Sequence, residues 1–132
     1  MKNETATWLR YANENLAVCR LSLERGLLNA CLQNAQQCIE KTLKAVIVEM
    51  DLGFRKTHSI QKLAVQLTAA GLNIGLSEDE CDLIDAIYLP SKYPIEAIVP
   101  DIEVDTDLCR ECMGIAEKVL HDARERLGAA AG

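Results

Sequence analysis

The chain has 132 residues, a net charge of −6 and an apolar fraction of 49%, values typical of one globular domain with a single core. The net negative charge argues against general nucleic-acid affinity, because phosphate binding needs a basic face. It does not exclude a local basic pocket on an acidic protein. The longest strongly apolar run, AVIV, is too short to span a bilayer, and the N-terminus lacks an apolar signal-peptide core. We therefore expect a cytoplasmic protein.

Apolar residues recurring at three- and four-residue steps predict an all-α protein, and no strand-like alternation is present. Gly26 and Gly53 are placed to end the first two helices, and the capping box SEDE (Ser77 to Glu80) predicts the start of the fourth. Helices of this length with short connections favour an up-and-down antiparallel bundle of four to five helices. The five predicted helices cover about residues 4–25, 28–52, 59–70, 77–88 and 105–127.

Six cysteines would suit disulfides in a secreted protein, but nothing in the sequence directs secretion. Cys109 and Cys112 form the only pair with metal or redox spacing, C-x-x-C, and a structural zinc site needs four ligands. The pair lies inside the apolar stripe of the fifth helix. We interpret the two thiols as small buried side chains, and we predict no metal site and no cofactor.

The second helix carries a polar face opposite its apolar stripe. Glu40 and Lys44 are spaced for a helix-stabilising i, i+4 ion pair, and this spacing favours a solvated surface. Neighbouring glutamines could instead hydrogen-bond across a helix interface or to a base. The face consists of Gln33, Gln36, Gln37, Glu40 and Lys44, with Lys41 at its edge.

The stretch FRKTHSI, residues 54–60, joins the second and third helices and contains two cations and one of only two histidines. Thr57 or Ser59 could cap the third helix, with His58 assisting. Alternatively, Lys56 and His58 could belong to a phosphate-binding or catalytic site. The second histidine, His121, is interpreted as a surface residue of the fifth helix.

Residues 35–67, AQQCIEKTLKAVIVEMDLGFRKTHSIQKLAVQL, resemble the core motif of the HEPN domain (higher eukaryotes and prokaryotes nucleotide-binding). The matches lie in the second helix and in the Lys-Thr-His-Ser start of the third. Trp8, Ala12 and Leu16 match in the first helix, and SKYP, residues 91–94, stands where the family often has Arg-Tyr-Pro-Asp. The core matches are Gln36, Gln37, Glu40, Lys41, Leu43, Lys44, Ala45, Lys56, Thr57, His58 and Ser59.

The resemblance implies one helical domain over residues 1–128, a homodimer, and a disordered tail over 129–132. It also implies partnership with a minimal nucleotidyltransferase, as half of a toxin–antitoxin pair, and binding of a nucleotide or RNA. No membrane or DNA partner is expected. The predicted ligand-binding residues are Lys41, Lys44, Lys56, His58, Lys92 and Tyr93.

Ribonuclease members of the family use an arginine followed, after four to six residues, by a histidine. Neither His58 nor His121 has an arginine at that spacing, and Arg55 lies only three positions before His58. The sequence therefore predicts a non-catalytic binding protein. Two alternatives stay open. One is a metal-independent endoribonuclease toxin with a rearranged site, using His58, Arg55 and Lys92. The other is a structural helical dimer whose interface uses Gln36, Gln37 and residues 92–94.

Overall fold

The computed structural model describes residues 1–88 and 103–131, and these residues form helices, turns and loops without a strand. The predicted all-α class is confirmed. The predicted domain bounds, 1–128 with a tail over 129–132, stay a prediction. The helices within the described residues are α1 (Asn3–Glu24), α2 (Leu28–Glu49), α3 (Ile60–Ala69), α4 (Glu78–Tyr88) and α5 (Thr106–Ala131).

The bundle is built around α2, which packs against each of the other four helices. α1 runs antiparallel to α2, since Lys2 at its start forms an ion pair with Asp51, while Cys19 near its end contacts Cys31. α5 packs on both, and its Cys109 contacts the backbone of Leu28 at the start of α2. The shorter helices α3 and α4 pack on each other and on the remaining side of α2.

The predicted helix ends are right to within four residues: α5 continues four residues beyond its predicted end, to Ala131, and α2 ends three residues before its predicted end. We predicted that this helix would continue to Leu52, whereas it ends at Glu49 because Asp51 adopts a left-handed conformation with φ 55°. The backbone N–H of Leu52 then donates to the carbonyl of Ile47 at 3.1 Å, which closes the terminal turn. Gly53, the predicted terminator, is also left-handed but lies beyond the helix.

The capping box at the start of α4 is confirmed. The backbone N–H of Ser77 donates to Glu80 Oε1 at 2.9 Å, and the N–H of Glu80 donates to Ser77 Oγ at 3.1 Å. Lys118 of α5 also donates to both carboxylate oxygens of Glu80, at 2.8 Å each. The start of α4 is thereby fixed against α5.

The solvated face predicted on α2 is wrong for three of its residues. Gln36, Glu40 and Lys44 are 1%, 4% and 5% exposed, because α3, α4 and the loop before α3 cover the side of α2 that the apolar stripe leaves open. Gln36 is therefore not available to the dimer interface that one of the alternatives placed there, and the other residues of that interface stay a prediction. A central helix covered on several sides must bury polar groups as well as apolar ones, and these groups then need partners.

The cysteines are buried, as predicted for Cys109 and Cys112, and all six are free thiols. Burial raises the pKa of both Cys109 and Cys112 to about 12, which makes the reactive thiolate scarce at neutral pH. No helix in the described part of the chain has the length and apolarity that crossing a membrane requires.

Candidate functional site

The loop between α2 and α3 lies against the middle of α2, and its part from residue 54 to residue 58 exposes four side chains. The side chain of Gln66 on α3 donates to the carbonyls of Leu52 and Gly53, at 2.8 and 2.7 Å, and holds the first part of the loop. Gln36 on α2 donates to the carbonyl of His58 at 3.3 Å and holds its end. We call the exposed side chains Phe54, Arg55, Lys56 and His58 the loop surface.

The start of α3 is capped twice. Ser59 is the N-cap, and its Oγ accepts from the N–H of Lys62 at 3.2 Å. Asp85, reaching over from α4, accepts from Ser59 Oγ and from the N–H groups of Ile60 and Gln61, at 3.1, 2.6 and 3.1 Å. The N-terminus of a helix attracts anions, and here a carboxylate of the same chain takes that position. That helix N-terminus is therefore not open to an external phosphate.

A buried carboxylate, Glu40, joins α2 to the loop surface. Its Oε2 accepts from Lys44 Nζ at 2.9 Å, and its Oε1 accepts from Gln36 Nε2 at 3.1 Å and contacts His58 Nδ1 at 3.0 Å. Burial alone raises the pKa of Glu40, but the hydrogen bonds from Lys44, Gln36 and His58 outweigh it and hold the pKa below the ordinary 4.5. Glu40 is thus ionised at neutral pH.

Lys44 lies under two aromatic rings. Its ammonium group is 5.8 Å from the ring centre of Trp8 and 5.5 Å from that of Phe54, within the range of cation–π attraction. The two rings stack on each other with centres 6.1 Å apart. Phe54 stays half exposed beside the cations of the loop surface.

His58 is fixed in orientation while remaining accessible. Because the ionised Glu40 can only accept hydrogen bonds, Nδ1 of His58 carries the hydrogen of the 3.0 Å contact, and Nε2 is the nitrogen left for a ligand. The ring stacks on Tyr88 of α4 with centres 5.3 Å apart and planes 17° apart. The side chain is 58% exposed. When Nε2 also carries a proton, such an imidazole can donate to a phosphate, and when it does not, Nε2 can accept a proton from a bound molecule.

The structure brings some of the predicted ligand-binding residues together and separates others. Lys56 and His58 lie on the loop surface. Lys44 is adjacent but buried, with its charge directed to Glu40. Lys41 turns toward α1, where it donates to Asn15 at 2.8 Å. Lys92 and Tyr93 lie outside the described residues, and their role stays a prediction.

Four residues that shape the site were not identified from the sequence as site residues. Glu40 matched the family motif but was interpreted as half of a surface ion pair. Phe54 and Tyr88 stood at helix boundaries, where an aromatic residue gives no sign of its stacking partner. Asp85 lies on the polar face of α4, and its contact with the α3 N-terminus spans 25 residues of sequence. Of these four residues, only Glu40 could have been identified as a site residue from the sequence, through its match to the family motif.

The cavities of the described residues differ in what they could bind. A cavity of about 370 Å³ opens beside the loop surface and is lined by Phe54, Gly53, Asp51 and residues of α1 and α2. A larger one of about 630 Å³ lies between the α3–α4 loop and α5, where Asp122 and Glu125 outnumber Arg126. That acidic lining disfavours phosphate. Among the described residues, no group of histidine, cysteine and carboxylate side chains is arranged to hold a metal ion.

Comparison with known proteins gives a consistent result. A family model described as the HEPN domain matches residues 5–126. The chain is similar to the crystal structure of TT1696 from Thermus thermophilus, with a TM-score of 0.75 and 25% identity, covering 94% of this chain and 98% of that one. It shares its fold with ST0689, described as an archaeal HEPN homologue, with a TM-score of 0.63, 20% identity, and coverage of 96% and 98%. No curated protein matches the chain significantly.

Proposed function

Since the chain belongs to the HEPN domain family, we propose that it binds nucleotides through the loop surface. The observation that carries the proposal is the His58 imidazole, held by the buried Glu40, stacked on Tyr88 and still 58% exposed. Holding an exposed side chain in one orientation serves no evident need of the core. It does prepare a group to meet a ligand without further loss of conformational freedom.

The loop surface offers the two kinds of contact that a nucleotide needs. Arg55 and Lys56 are exposed cations that can contact phosphate, and arginine can do so with two parallel hydrogen bonds. The exposed ring of Phe54, supported by Trp8, can stack on a base, an interaction that tolerates any base identity. Because the whole chain has a net charge of −6, attraction for phosphate needs a local group of cations, and the loop surface supplies one.

A direct test compares two histidine variants by isothermal titration calorimetry with ATP, GTP and a short single-stranded RNA. His58→Ala is expected to weaken binding at least about tenfold, because it removes the imidazole and its contact to Tyr88. The control is His121→Ala, which removes the chain's other histidine, an exposed residue of α5 paired with Glu125. Equal affinity in wild type and His58→Ala, or binding of none of the three ligands by wild type, would count against the proposal.

Pairing with a minimal nucleotidyltransferase, as half of a toxin–antitoxin system, is a further proposal that rests on the family resemblance. The motif residues that carry it are those of α2 and of the α3 start. Co-expression with the product of the adjacent gene, followed by purification through a tag on this chain, tests it. A stable complex with a nucleotidyltransferase supports the pairing, and recovery of this chain alone argues against it.

A second candidate function, endoribonuclease activity at a rearranged site, is favoured by the Glu40–His58 contact. A carboxylate that orients an imidazole through Nδ1 leaves Nε2 to act as a general base, and Arg55 could stabilise the charged phosphate. RNA incubated with wild type in the presence of EDTA should then be cleaved, and His58→Ala should abolish the cleavage while His121→Ala retains it. If wild type leaves RNA intact, the binding function stands alone.

A further inference from the structure

A cation and a carboxylate lie side by side at the end of α2, in the wall of the cavity that opens beside the loop surface. Asp51 forms an ion pair with Lys2 from the start of the chain, and both residues line the cavity of about 370 Å³ together with Phe54. The side chains of Asp51 and Lys2 are 81% and 42% exposed, so their pair contributes little to stability. Their hydrogen-bonding groups are open to a ligand in the cavity.

Lys2 is held in place by both its backbone and its side chain. Its backbone N–H donates to Glu49 Oε1 at 2.9 Å, and the same oxygen accepts from Thr5 Oγ1 at 2.9 Å. Its ammonium group donates to the carbonyl of Val48 at 3.0 Å and to Asp51 Oδ1. Because an ammonium group has three N–H donors, one donor remains for a ligand.

Asp51 offers acceptors beside that donor. An ionised carboxylate has about four lone-pair sites for hydrogen bonds. Within residues 1–88 and 103–131, the side chain of Asp51 has a single partner, the Lys2 ammonium on Oδ1. Oδ2 and a further lone pair of Oδ1 can therefore accept from a ligand. The pair presents one donor and, next to it, two acceptors.

We propose that the Lys2–Asp51 pair reads the base of a bound nucleotide and selects guanine, an inference that rests on the nucleotide binding proposed for the loop surface. The Watson–Crick edge of guanine carries, in order, the O6 acceptor and the N1–H and N2–H donors. With the base stacked on Phe54, O6 accepts from Lys2, and N1–H and N2–H donate to the two carboxylate oxygens of Asp51.

The other bases satisfy the pair less completely. Adenine, cytosine and uracil each present only one N–H donor along that edge, so one carboxylate oxygen of Asp51 is left without a ligand donor. A site built to hydrogen-bond a ligand group discriminates strongly against an analogue that lacks the group. The stacking on Phe54 is common to all bases, and selection therefore depends on the edge.

The charges around the cavity also orient the nucleotide. Glu4 lines the cavity with Asp51, and these two carboxylates against the single ammonium of Lys2 disfavour phosphate there. The exposed cations Arg55 and Lys56 lie on the other side of Phe54 in sequence and attract the phosphates. The base then enters the cavity while the phosphates stay on the loop surface.

Isothermal titration calorimetry with GTP, ITP and ATP tests the selection. ITP differs from GTP only in lacking the N2 amino group, so wild type should bind GTP at least about tenfold more tightly than ITP, and also more tightly than ATP. In Asp51→Asn an amide donor replaces one acceptor, and GTP and ITP should then bind within about threefold of each other. Asparagine tolerates the left-handed backbone of residue 51, φ 55°, so the turn is kept.

The matched control is Asp107→Asn, the same substitution at a 93% exposed side chain of α5, which should keep the wild-type preference for GTP. Equal affinities of wild type for GTP, ITP and ATP overturn the guanine selection and leave nucleotide binding at the loop surface in place. An Asp51→Asn variant with the wild-type preference for GTP over ITP overturns the selection as well. Binding of none of the three nucleotides removes the proposed function itself, and the selection with it.

Discussion

Replacing Glu40 with glutamine is expected to cost about 3–5 kcal/mol of folding free energy, the largest effect of any conservative change near the site. Glutamine keeps the size and shape of the side chain but removes the counter-charge of Lys44, whose side chain is only 6% exposed. The ammonium group would be left buried between Trp8, Phe54 and a neutral amide. Urea unfolding followed by circular dichroism measures the loss.

The double variant Glu40→Gln/Lys44→Met provides the control, because it removes both charges together. It should lose clearly less stability than the sum of the two single variants, since neither charge is then left alone. A Glu40→Gln protein within about 0.5 kcal/mol of wild type would mean that the pair is not buried as the structure describes.

Acid should reduce the difference between wild type and Glu40→Gln. The pKa of Glu40 is lower in the folded chain than its ordinary 4.5, so the stability that the ionised carboxylate provides is fully present above about pH 4.5. It is lost as pH falls through the folded pKa. The stability of wild type should therefore decline below pH 4.5 more steeply than that of the variant.

Reversing the charges of Arg55 and Lys56 together is expected to lower nucleotide affinity at least about 100-fold, the largest effect on binding. The two cations are exposed, so the variant should fold normally. In sequence they lie between Phe54 and His58, the aromatic and imidazole groups of the loop surface. The slope of log affinity against log salt for a single-stranded RNA should also fall by about 1.4, because two fewer counterion-releasing contacts are made.

Arg110→Glu/Arg124→Glu is the matched control for the charge reversal. It makes the same change in net charge on α5, where both arginines are exposed. If affinity falls equally in both double variants, the binding reflects the overall charge of the protein and not the loop surface.

The fold could be predicted from the sequence because its determinants are local. In residues 28–52 the apolar side chains recur with the period of a helix. Ser77 and Glu80 form a capping box, whose hydrogen bonds join residues only three positions apart. The true end of α2 could not be placed, because an aspartate such as Asp51 adopts left-handed geometry in only some contexts, whereas glycine does so readily. The end of α1, predicted from Gly26, was within one residue, whereas the end of α2, predicted from Gly53, was three residues too far.

The candidate site could be predicted only in part, because its organisation depends on long-range contacts. Lys56 and His58 were identified through the family motif and lie on the loop surface. The pairing of Glu40 with Lys44 was expected, but an i, i+4 pair has the same spacing whether it is exposed or buried. Its burial depends on where α3 and α4 pack, and the stacking of Tyr88 on His58 joins residues 30 positions apart. No local pattern encodes either contact.

An NMR titration of ¹⁵N-labelled protein can show whether a nucleotide binds at the loop surface arranged by Glu40. With ATP or a short single-stranded RNA as the probe, the largest backbone shift changes should fall on residues 53–61, on Tyr88 and on Glu40. The same titration of His58→Ala should give much smaller changes at those positions. Largest changes on α5, or a ligand response that survives unchanged in His58→Ala, would show that the nucleotide does not bind at the loop surface.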